Sequence, residues 1–284
     1  MERVRFSPEE VQFSAETHDL FMNQIKRAPA WIIRRNQIIV HPNSPRTFTI
    51  KPEDLEHELL PPPFASAVAS FKWIEDKLPF YILTAIAKSR KYHGISEFYY
   101  QWGFEESQHS QGEAFILEHT HSKTHQQIEQ DYSLNIQTPW ELPYEDARQG
   151  LFYALFQEGN THEHYGGLVA TAREIGAIKT AIILELIGED EGYHYGGIRS
   201  FAELFVRDDP EGSKKDAIKV ASNFRMPAVN TFANPWRERS AIMKSGGYKP
   251  EMLRKVLGGT LTHVFGATPE EVEEVMAHHV GRRY

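Results

Sequence analysis

Hydrophobic residues recur at three- and four-residue intervals over long stretches of this chain, a spacing that is typical of helices with one buried face. The pattern predicts four long helices, at about 64–88, 96–119, 146–175 and 177–206. It predicts shorter helices at 8–27, 213–224, 249–257 and 268–279. Residues 30–50 are instead β-branched, basic and interrupted by prolines, so we expect this segment to be extended or irregular.

The four long helices determine the expected fold. Strand signals are sparse elsewhere and no linker divides the chain, so we expect an all-α fold in one domain over residues 1–284. Its core would be a four-helix bundle at about 62–208. An N-terminal segment, 1–60, and C-terminal helices within 210–284 would pack on that core.

Composition narrows the class of protein. Of the 284 residues, 40% are hydrophobic and 25% are charged, which is typical of a soluble globular protein. The sequence has neither an apolar run of about 20 residues nor the apolar stretch of a secretory signal, so we expect a cytoplasmic protein without membrane insertion. The net charge of −8 argues against a nucleic-acid binder, which needs a basic face.

Cysteine is absent from the sequence. Its absence excludes disulfides, thiolate zinc sites, iron–sulfur ligation and a cysteine nucleophile. Any bound metal ion would therefore be held by histidine and carboxylate side chains.

Two Glu-x-x-His motifs within predicted long helices are the main candidates for chemistry. They are Glu106–His109 on the second long helix and Glu191–His194 on the fourth. Residues three positions apart share one face of a helix, so each pair can bind a single ion. The helix before each motif carries another glutamate at a similar distance along the chain, Glu75 on the first and Glu158 on the third.

This repeat offers four carboxylates and two imidazoles from four helices. That is the ligand set of a di-iron or di-manganese carboxylate site in a helical bundle. Burying the carboxylates without a metal ion would be costly, because like charges repel and lose their hydration. The alternative is that these are surface residues at accidental spacing. A third motif, Glu118–His121, falls off the ligand face and is expected to be solvated.

Five short segments in one order resemble the soluble acyl-acyl carrier protein (acyl-ACP) desaturases, a ferritin-like di-iron family. The segments are Glu75-Asp76-Lys77-Leu78-Pro79, Trp102-x-x-Glu105-Glu106-x-x-His109, Phe156-Gln157-Glu158-x-x-Thr161, Asp190-Glu191-x-x-His194 and Met226-Pro227-Ala228. The resemblance covers about residues 70–230. It implies a ferritin-like four-helix bundle core with additional peripheral helices.

The resemblance also implies a centre with two iron ions and O2 as co-substrate. Its iron ligands would be Glu75, Glu106, His109, Glu158, Glu191 and His194. Asp190 and Glu105 would orient the ligand histidines through their other ring nitrogens, the alternative being solvated helix charge. Thr161 would relay protons, with a hydroxyl bonded back to its own helix as the alternative. Trp102 would line an electron route or simply pack in the core.

Three residues depart from the family pattern and bear on the substrate. His162 is an extra ligand, a polar group in the pocket or a hydrogen-bonded histidine, and Glu113 repeats the ligand face of its helix. Lys88 falls near the expected acyl channel, so either it points outward or the channel is shorter. These positions put a long-chain acyl substrate in doubt and leave the metal site intact.

The function implied by the resemblance is to introduce a C=C bond into an acyl chain bound to acyl carrier protein. A ferredoxin-like electron donor and a homodimeric assembly are implied with it. Carrier proteins are acidic, so we expect a local basic patch. Its candidates, each of which is otherwise ordinary surface charge, are Lys26, Arg27, Arg34 and Arg35, or Lys88, Arg90 and Lys91.

Other functions use the same ligand set. A di-iron oxygenase that hydroxylates carbon or oxidises an amine in another small molecule is the main alternative, and His162 and Glu113 favour it. Iron storage is disfavoured, because a lone bundle has nowhere to mineralise iron. A ribonucleotide-reductase radical subunit is also disfavoured, because Glu113 stands where such subunits carry their radical tyrosine.

Overall fold

The structure, a computed structural model, describes residues 7–34, 36–41, 47–144, 146–227, 231–232 and 235–280. These residues are mostly helical, which confirms the predicted all-α fold. The helices are α1 Pro8–Leu20, α2 Pro62–Glu75, α3 Leu78–Ser89, α4 His93–His119, α5 His125–Asn135, α6 Ala147–Glu174, α7 Ile178–Asp208, α8 Pro210–Asn223, α9 Pro235–Lys244, α10 Pro250–Phe265 and α11 Pro269–Val280. A π-helix at Phe21–Ile25 follows α1, and a 3-10 turn lies at Pro52–Asp54.

A bundle formed by α2 with α3, α4, α6 and α7 is the core of the molecule. Helices α6 and α7 pack side by side, α2 and α3 pack on α4, and α4 contacts α7. Large apolar side chains, among them Phe98, Phe156 and Phe201, fill its interior. Three of the predicted long helices correspond to α4, α6 and α7.

The predicted first long helix, 64–88, is wrong in one respect, because the structure divides it into α2 and α3. Helix α2 ends at Glu75 and α3 begins at Leu78. Pro79 explains the break, since proline has no N–H and its ring would clash with the carbonyl of the residue four positions earlier, Glu75. Lys77 in the intervening turn donates hydrogen bonds to the carbonyl of Asn135 and so ties the turn to α5. Glu75 therefore lies at a helix end.

The segment expected to be extended contains a small antiparallel sheet. Its strands are β1 Trp31–Ile33, β2 Ile38–Val40 and β3 Thr49–Ile50, with β2 in the middle. Trp31 pairs with Val40, and Ile38 pairs with Ile50. The sheet contacts α4 through β1, and this contact places the buried Trp31 beside the bundle.

Two short helices, α5 and α9, were not predicted. Helix α5 begins with a capping box, in which Thr124 and Gln127 each accept the other's backbone N–H. Helix α9 begins at a proline, which is favoured at that position. Helix α10 extends to Phe265, beyond the predicted end at 257, and stops where Gly266 takes a left-handed conformation with φ of 64°.

The remaining helices cover the bundle. Helix α1 packs closely on α4, because Gly94 lets the two backbones approach: a Cβ there would lie 1.8 Å from the Thr17 carbonyl oxygen. Helices α8 and α10 pack on α6, α11 packs on both of them, and α9 packs on α2. Within the described part of the chain, no helix is both long and apolar enough to cross a membrane.

Candidate metal centre

The structure brings all six predicted metal ligands together in the middle of the bundle. They form two groups of four, in each of which one ligand atom per residue lies within 4.8 Å of the others. The first group is Glu75, Glu106, His109 and Glu191, and the second is Glu106, Glu158, Glu191 and His194. Glu106 and Glu191 belong to both groups. All six side chains are buried, and the most accessible, Glu75, is only 6% exposed.

The helices account for this convergence. The i, i+3 spacing puts Glu106 and His109 on one face of α4, and the same spacing puts Glu191 and His194 on one face of α7. Because α4 and α7 are in contact, these two faces meet inside the bundle. The last residue of α2 and the middle of α6 then bring the two remaining glutamates to the same place.

The hydrogen bond of the His194 ring determines which of its nitrogens faces the candidate ligands. Its Nε2 lies 2.9 Å from Oε2 of Glu105, so this nitrogen donates a hydrogen bond to the carboxylate. Its Nδ1 lies 3.1 Å from Glu106 Oε1 and 3.3 Å from Glu158 Oε2, yet it forms no hydrogen bond with any described residue. Nδ1 is thereby directed at carboxylate oxygens, and a cation between them would be stabilised by the nitrogen and by the oxygens.

His109 has a similar position with the helices exchanged, but its Nε2 faces a carboxylate without forming a hydrogen bond. Its Nε2 lies 3.5 Å from Asp190 Oδ2, and its Nδ1 lies 3.2 Å from Glu191 Oε1 and 3.4 Å from Glu106 Oε2. Thus Glu105 on α4 holds the histidine of α7, while Asp190 on α7 faces the histidine of α4. This is the arrangement that the resemblance implies for these two carboxylates.

Buried polar atoms without partners test whether the residues suit a metal centre. Among the described residues, such atoms include Glu106 Oε1, Glu158 Oε2, Glu191 Oε1, His109 Nδ1 and His194 Nδ1. Each buried, unpaired group costs about 1–3 kcal/mol, and an ion bound between them would remove that cost. Carboxylate oxygens and imidazole nitrogens suit iron and manganese. The residues therefore fit a pair of such ions.

Electrostatics indicate that the site needs positive charge. Burial raises the pKa of Glu75 and Glu158 well above the usual range, and the neighbouring Glu106 and Glu191 raise it further. Burial opposes ionisation of Glu106 and Glu191 too, but the facing histidines outweigh it and lower the pKa of both. Burial alone would lower the pKa of the two histidines, yet the carboxylates around them raise it. In the absence of a metal ion, these shifts favour protons on Glu75, Glu158 and the two histidines, and negative charge on Glu106 and Glu191.

Of the predicted catalytic residues, Trp102 contacts a candidate ligand, whereas the Thr161 hydroxyl is bonded to its own helix. Trp102 is buried on α4 and donates its indole N–H to Glu158 Oε1 at 3.2 Å, so it contacts a candidate ligand directly. Thr161 is buried on α6, and its hydroxyl donates to the carbonyl of Gln157 at 3.0 Å. This is the bond back to its own helix that was the alternative, and the relay role remains a prediction.

Sequence reasoning missed two residues that surround Asp190. Trp31 donates its indole N–H to Asp190 Oδ2 at 2.8 Å, and Arg27 Nη2 lies 2.5 Å from Asp190 Oδ1. Arg27 Nε also lies 3.3 Å from Glu105 Oε1, so one guanidinium joins the partners of both histidines. Burial opposes ionisation of Asp190, but His109 and Arg27 lower its pKa. Trp31 lies in a short apolar strand, and neither residue belongs to a motif that could have identified it.

The three departures from the family pattern have distinct positions. His162 lies outside both ligand groups, and its Nδ1 is 2.7 Å from the carbonyl oxygen of Gly188, so it is the hydrogen-bonded histidine. Glu113 is fully buried and accepts a hydrogen bond of 2.9 Å from Tyr165, whose hydroxyl is also 3.4 Å from Glu75. Lys88 is half-buried near the end of α3.

Other predicted residues lie away from the centre or outside the description. The third Glu-x-x-His motif reaches the end of α4, where His121 is exposed, as expected. Of the proposed basic patches, Lys26 and Arg34 are exposed, whereas Arg27 is only 20% exposed and engaged by carboxylates, which corrects its assignment as a free surface charge. Arg35 and Ala228 lie outside the described residues.

Comparison with known proteins agrees with this geometry. No curated protein matches the chain. The sequence profile of a family described as fatty acid desaturase matches residues 64–258, more than half of the chain and all six candidate ligands. The chain therefore belongs to the fatty acid desaturase family, whose members are oxidoreductases.

Proposed function

We propose that this protein is an O2-dependent di-iron desaturase that introduces a C=C bond into an acyl chain carried by acyl carrier protein. The observation that supports this most is the pair of buried ligand groups that share Glu106 and Glu191, in a member of the fatty acid desaturase family. In this proposal, Glu75 and His109 complete the ligands of one ion, and Glu158 and His194 complete those of the other.

Iron bound here would supply oxidation by O2: two hydrogens leave the acyl chain, two protons and two electrons come from a donor, and O2 leaves as two waters. The protein's own residues hold the site in position. Glu105 and Asp190 fix the ring orientations of His194 and His109. Burial of all six ligands excludes bulk water. Thr161, one turn beyond Glu158, is the side chain that we assign to proton transfer.

The partners in this proposal are a ferredoxin-like electron donor, acyl carrier protein and a second copy of the chain. A series of contacts joins the candidate ligand His109 to Asp190 and to the buried indole of Trp31, and we assign it to electron transfer. Lys26 and Arg34 are exposed and remain candidates for contact with an acidic carrier. Lys91 is less suitable, because it is paired with Glu10 at 2.7 Å.

Metal content tests the ligand assignment. Protein loaded with ferrous iron without oxygen should hold two irons per chain and should gain the optical absorption of ferric iron on exposure to O2. Glu106→Ala or Glu191→Ala should abolish both results, because each residue belongs to both groups. Glu118→Ala, a change in the solvated motif on the same helix as Glu106, is the matched control. If iron content survived the first two substitutions, the assignment would be wrong.

The product tests the reaction. Reduced protein should be incubated with saturated acyl-ACP and isotopically labelled O2, and the acyl chain then weighed by mass spectrometry. A desaturase gives a chain lighter by two hydrogens that retains no label. A labelled, heavier chain would identify an oxygenase and contradict the proposal.

A further inference from the structure

A cavity of about 180 Å³ lies beside the metal centre, between α2, α6 and the C-terminal helices. Its walls are mainly apolar and include Phe71, Ile74, Phe224, Met226, Ile242 and Leu253. A cavity of about 150 Å³ in another protein is known to hold benzene, so this one has room for a group of similar or slightly larger size.

Two aromatic rings, Phe71 and Tyr165, connect the wall of the cavity to the candidate ligand Glu75. Ile74 in its wall directly precedes Glu75. The ring of Phe71 lies 5.2 Å from that of Tyr165, and the Tyr165 hydroxyl is 3.4 Å from Glu75 Oε1. A molecule in the cavity would therefore lie next to the metal centre.

Polar side chains also line the cavity: Asn160, His164, Arg225, Arg239, Tyr248 and His279. Two of them, on α6, are buried and present unpaired atoms. Asn160 and His164 are four residues apart, so they share one face of α6, and they are 0% and 4% exposed. Asn160 Nδ2 donates to the carbonyl of Phe156 at 2.7 Å, which fixes the amide. Its Oδ1 and the Nε2 of His164 have no hydrogen-bond partner among the described residues. Leaving such groups unpaired costs about 1–3 kcal/mol each.

His164 is a neutral partner for a ligand. Burial lowers the pKa of His164 to about 4, so the imidazole carries no charge near neutral pH. Asn160 Oδ1 can only accept a hydrogen bond, and a neutral imidazole nitrogen forms one with an uncharged group. An alkyl chain would leave both unpaired, whereas a hydroxyl, or an amide through its N–H and C=O, can donate to Asn160 Oδ1 and accept from His164 Nε2.

We infer that this cavity binds an uncharged O–H or N–H donor carried on a short apolar group, and that Asn160 and His164 select it. As a statement about substrate, the inference rests on the proposed function: the protein would prefer an acyl substrate that presents such a donor close to the metal centre. The donor could belong to the chain itself or to the amide-containing arm that joins a chain to its carrier.

Phenol and toluene are matched probes, since they have the same shape and differ by a hydroxyl in place of a methyl group. Calorimetric titration of the intact protein should show phenol binding about five- to a hundredfold more tightly. The double variant Asn160→Leu/His164→Leu should remove or reverse this preference. His263→Leu, a change at an exposed histidine of α10, should leave it unchanged. Equal affinities in the unaltered protein, or the same preference in the double variant, would overturn the inference.

Competition with phenol identifies the source of the donor. Pantetheine carries the amide arm without an acyl chain, and methyl 5-hydroxyhexanoate carries a hydroxyl without the arm. Displacement by either supports the inference and names the source, and displacement by neither overturns its application to substrate. Iron content is measured on the same samples. Phenol selectivity in protein that binds no iron would contradict the proposed function alone, whereas bound iron without selectivity would contradict this inference alone.

Discussion

The two halves of the bundle supply the same ligand types in the same order but support them differently. In the α2–α4 half, the unshared carboxylate Glu75 lies at a helix end and is near the Tyr165 hydroxyl. In the α6–α7 half, Glu158 lies in the middle of a 28-residue helix and accepts the Trp102 indole N–H. The repeated motif thus supplies the same ligand atoms in both halves, but the residues around them differ. We therefore expect mutations to change the binding of the two ions to different extents.

The largest effect should separate shared from unshared ligands. Glu106→Ala and Glu191→Ala should lose both irons, whereas Glu75→Ala and Glu158→Ala should each retain one. Activity should fall in all four by more than the roughly 100-fold that loss of a residue supporting a ligand can cost. Iron analysis together with the rate of product formation measures both effects. Complete iron loss from the Glu75 variant would show that the halves are not separable.

The next effect concerns the carboxylates behind the histidines. Glu105→Gln should weaken the ion held by His194, and Asp190→Asn the ion held by His109, each by about 10- to 100-fold. Competition with a chelator measures the affinity of each ion. If both variants weakened the same ion, the assignment of one supporting carboxylate to each ion would be wrong.

The stability of the metal-free protein should fall as pH rises. Glu75 and Glu158 have raised pKa values in the folded protein, so above their ordinary 4.5 they hold protons that the unfolded chain releases. The raised pKa of His109 and His194 adds the same trend above their ordinary 6.5. For each proton that only the folded protein retains, the free energy of unfolding falls by up to about 1.4 kcal/mol per pH unit. This fall ends once the pH passes the pKa of that group in the folded protein.

Chemical denaturation at several pH values between about 5 and 8 measures this trend. Glu158→Gln should flatten it, because glutamine does not titrate, and Glu118→Gln should not change it. Iron-loaded protein should show the opposite trend, since ligands bind metal in the deprotonated state. Metal-free protein that gained stability over this pH range would contradict the raised pKa values of these four side chains.

The smallest effect should come from the neutral donors that distinguish the halves. Trp102→Phe removes one hydrogen bond to Glu158 and should weaken iron binding about two- to tenfold. Tyr165→Phe should lower iron affinity and thermal stability by more than Trp102→Phe does. The reason is that it also leaves the buried Glu113 without its hydrogen-bond donor. Chelator competition and thermal denaturation measure both effects. Equal effects would mean that Glu113 finds another partner.

The convergence of the candidate ligands could be predicted from the sequence in part because it depends on short-range geometry. Glu106 and His109 share a helix face whatever the rest of the chain does, and the same holds for Glu191 and His194. The apolar residues that recur along α4, α6 and α7 also indicate long helices. These parts of the fold and of the candidate site can therefore be predicted from residues that are close together in the sequence.

The rest depends on contacts between distant segments. Arg27 and Trp31 reach Asp190 across more than 150 positions of the chain, and nothing in their neighbours along the sequence indicates it. The break before α3 was missed because hydrophobic residues continue on both sides of Pro79. The hydrophobic spacing therefore predicted one helix, although proline lacks the N–H that an uninterrupted helix needs. Helix α5 is short and largely exposed, and only its capping residues indicate where it begins.

The exchanged pairing of Glu105 with His194 and of Asp190 with His109 fixes the register between α4 and α7. Each helix contributes both a histidine and the carboxylate that steadies the other helix's histidine. A slide by a single residue, about 1.5 Å along the axis, would misalign both pairs at once. The register of α4 and α7 and the orientation of both candidate ligand histidines therefore depend on each other.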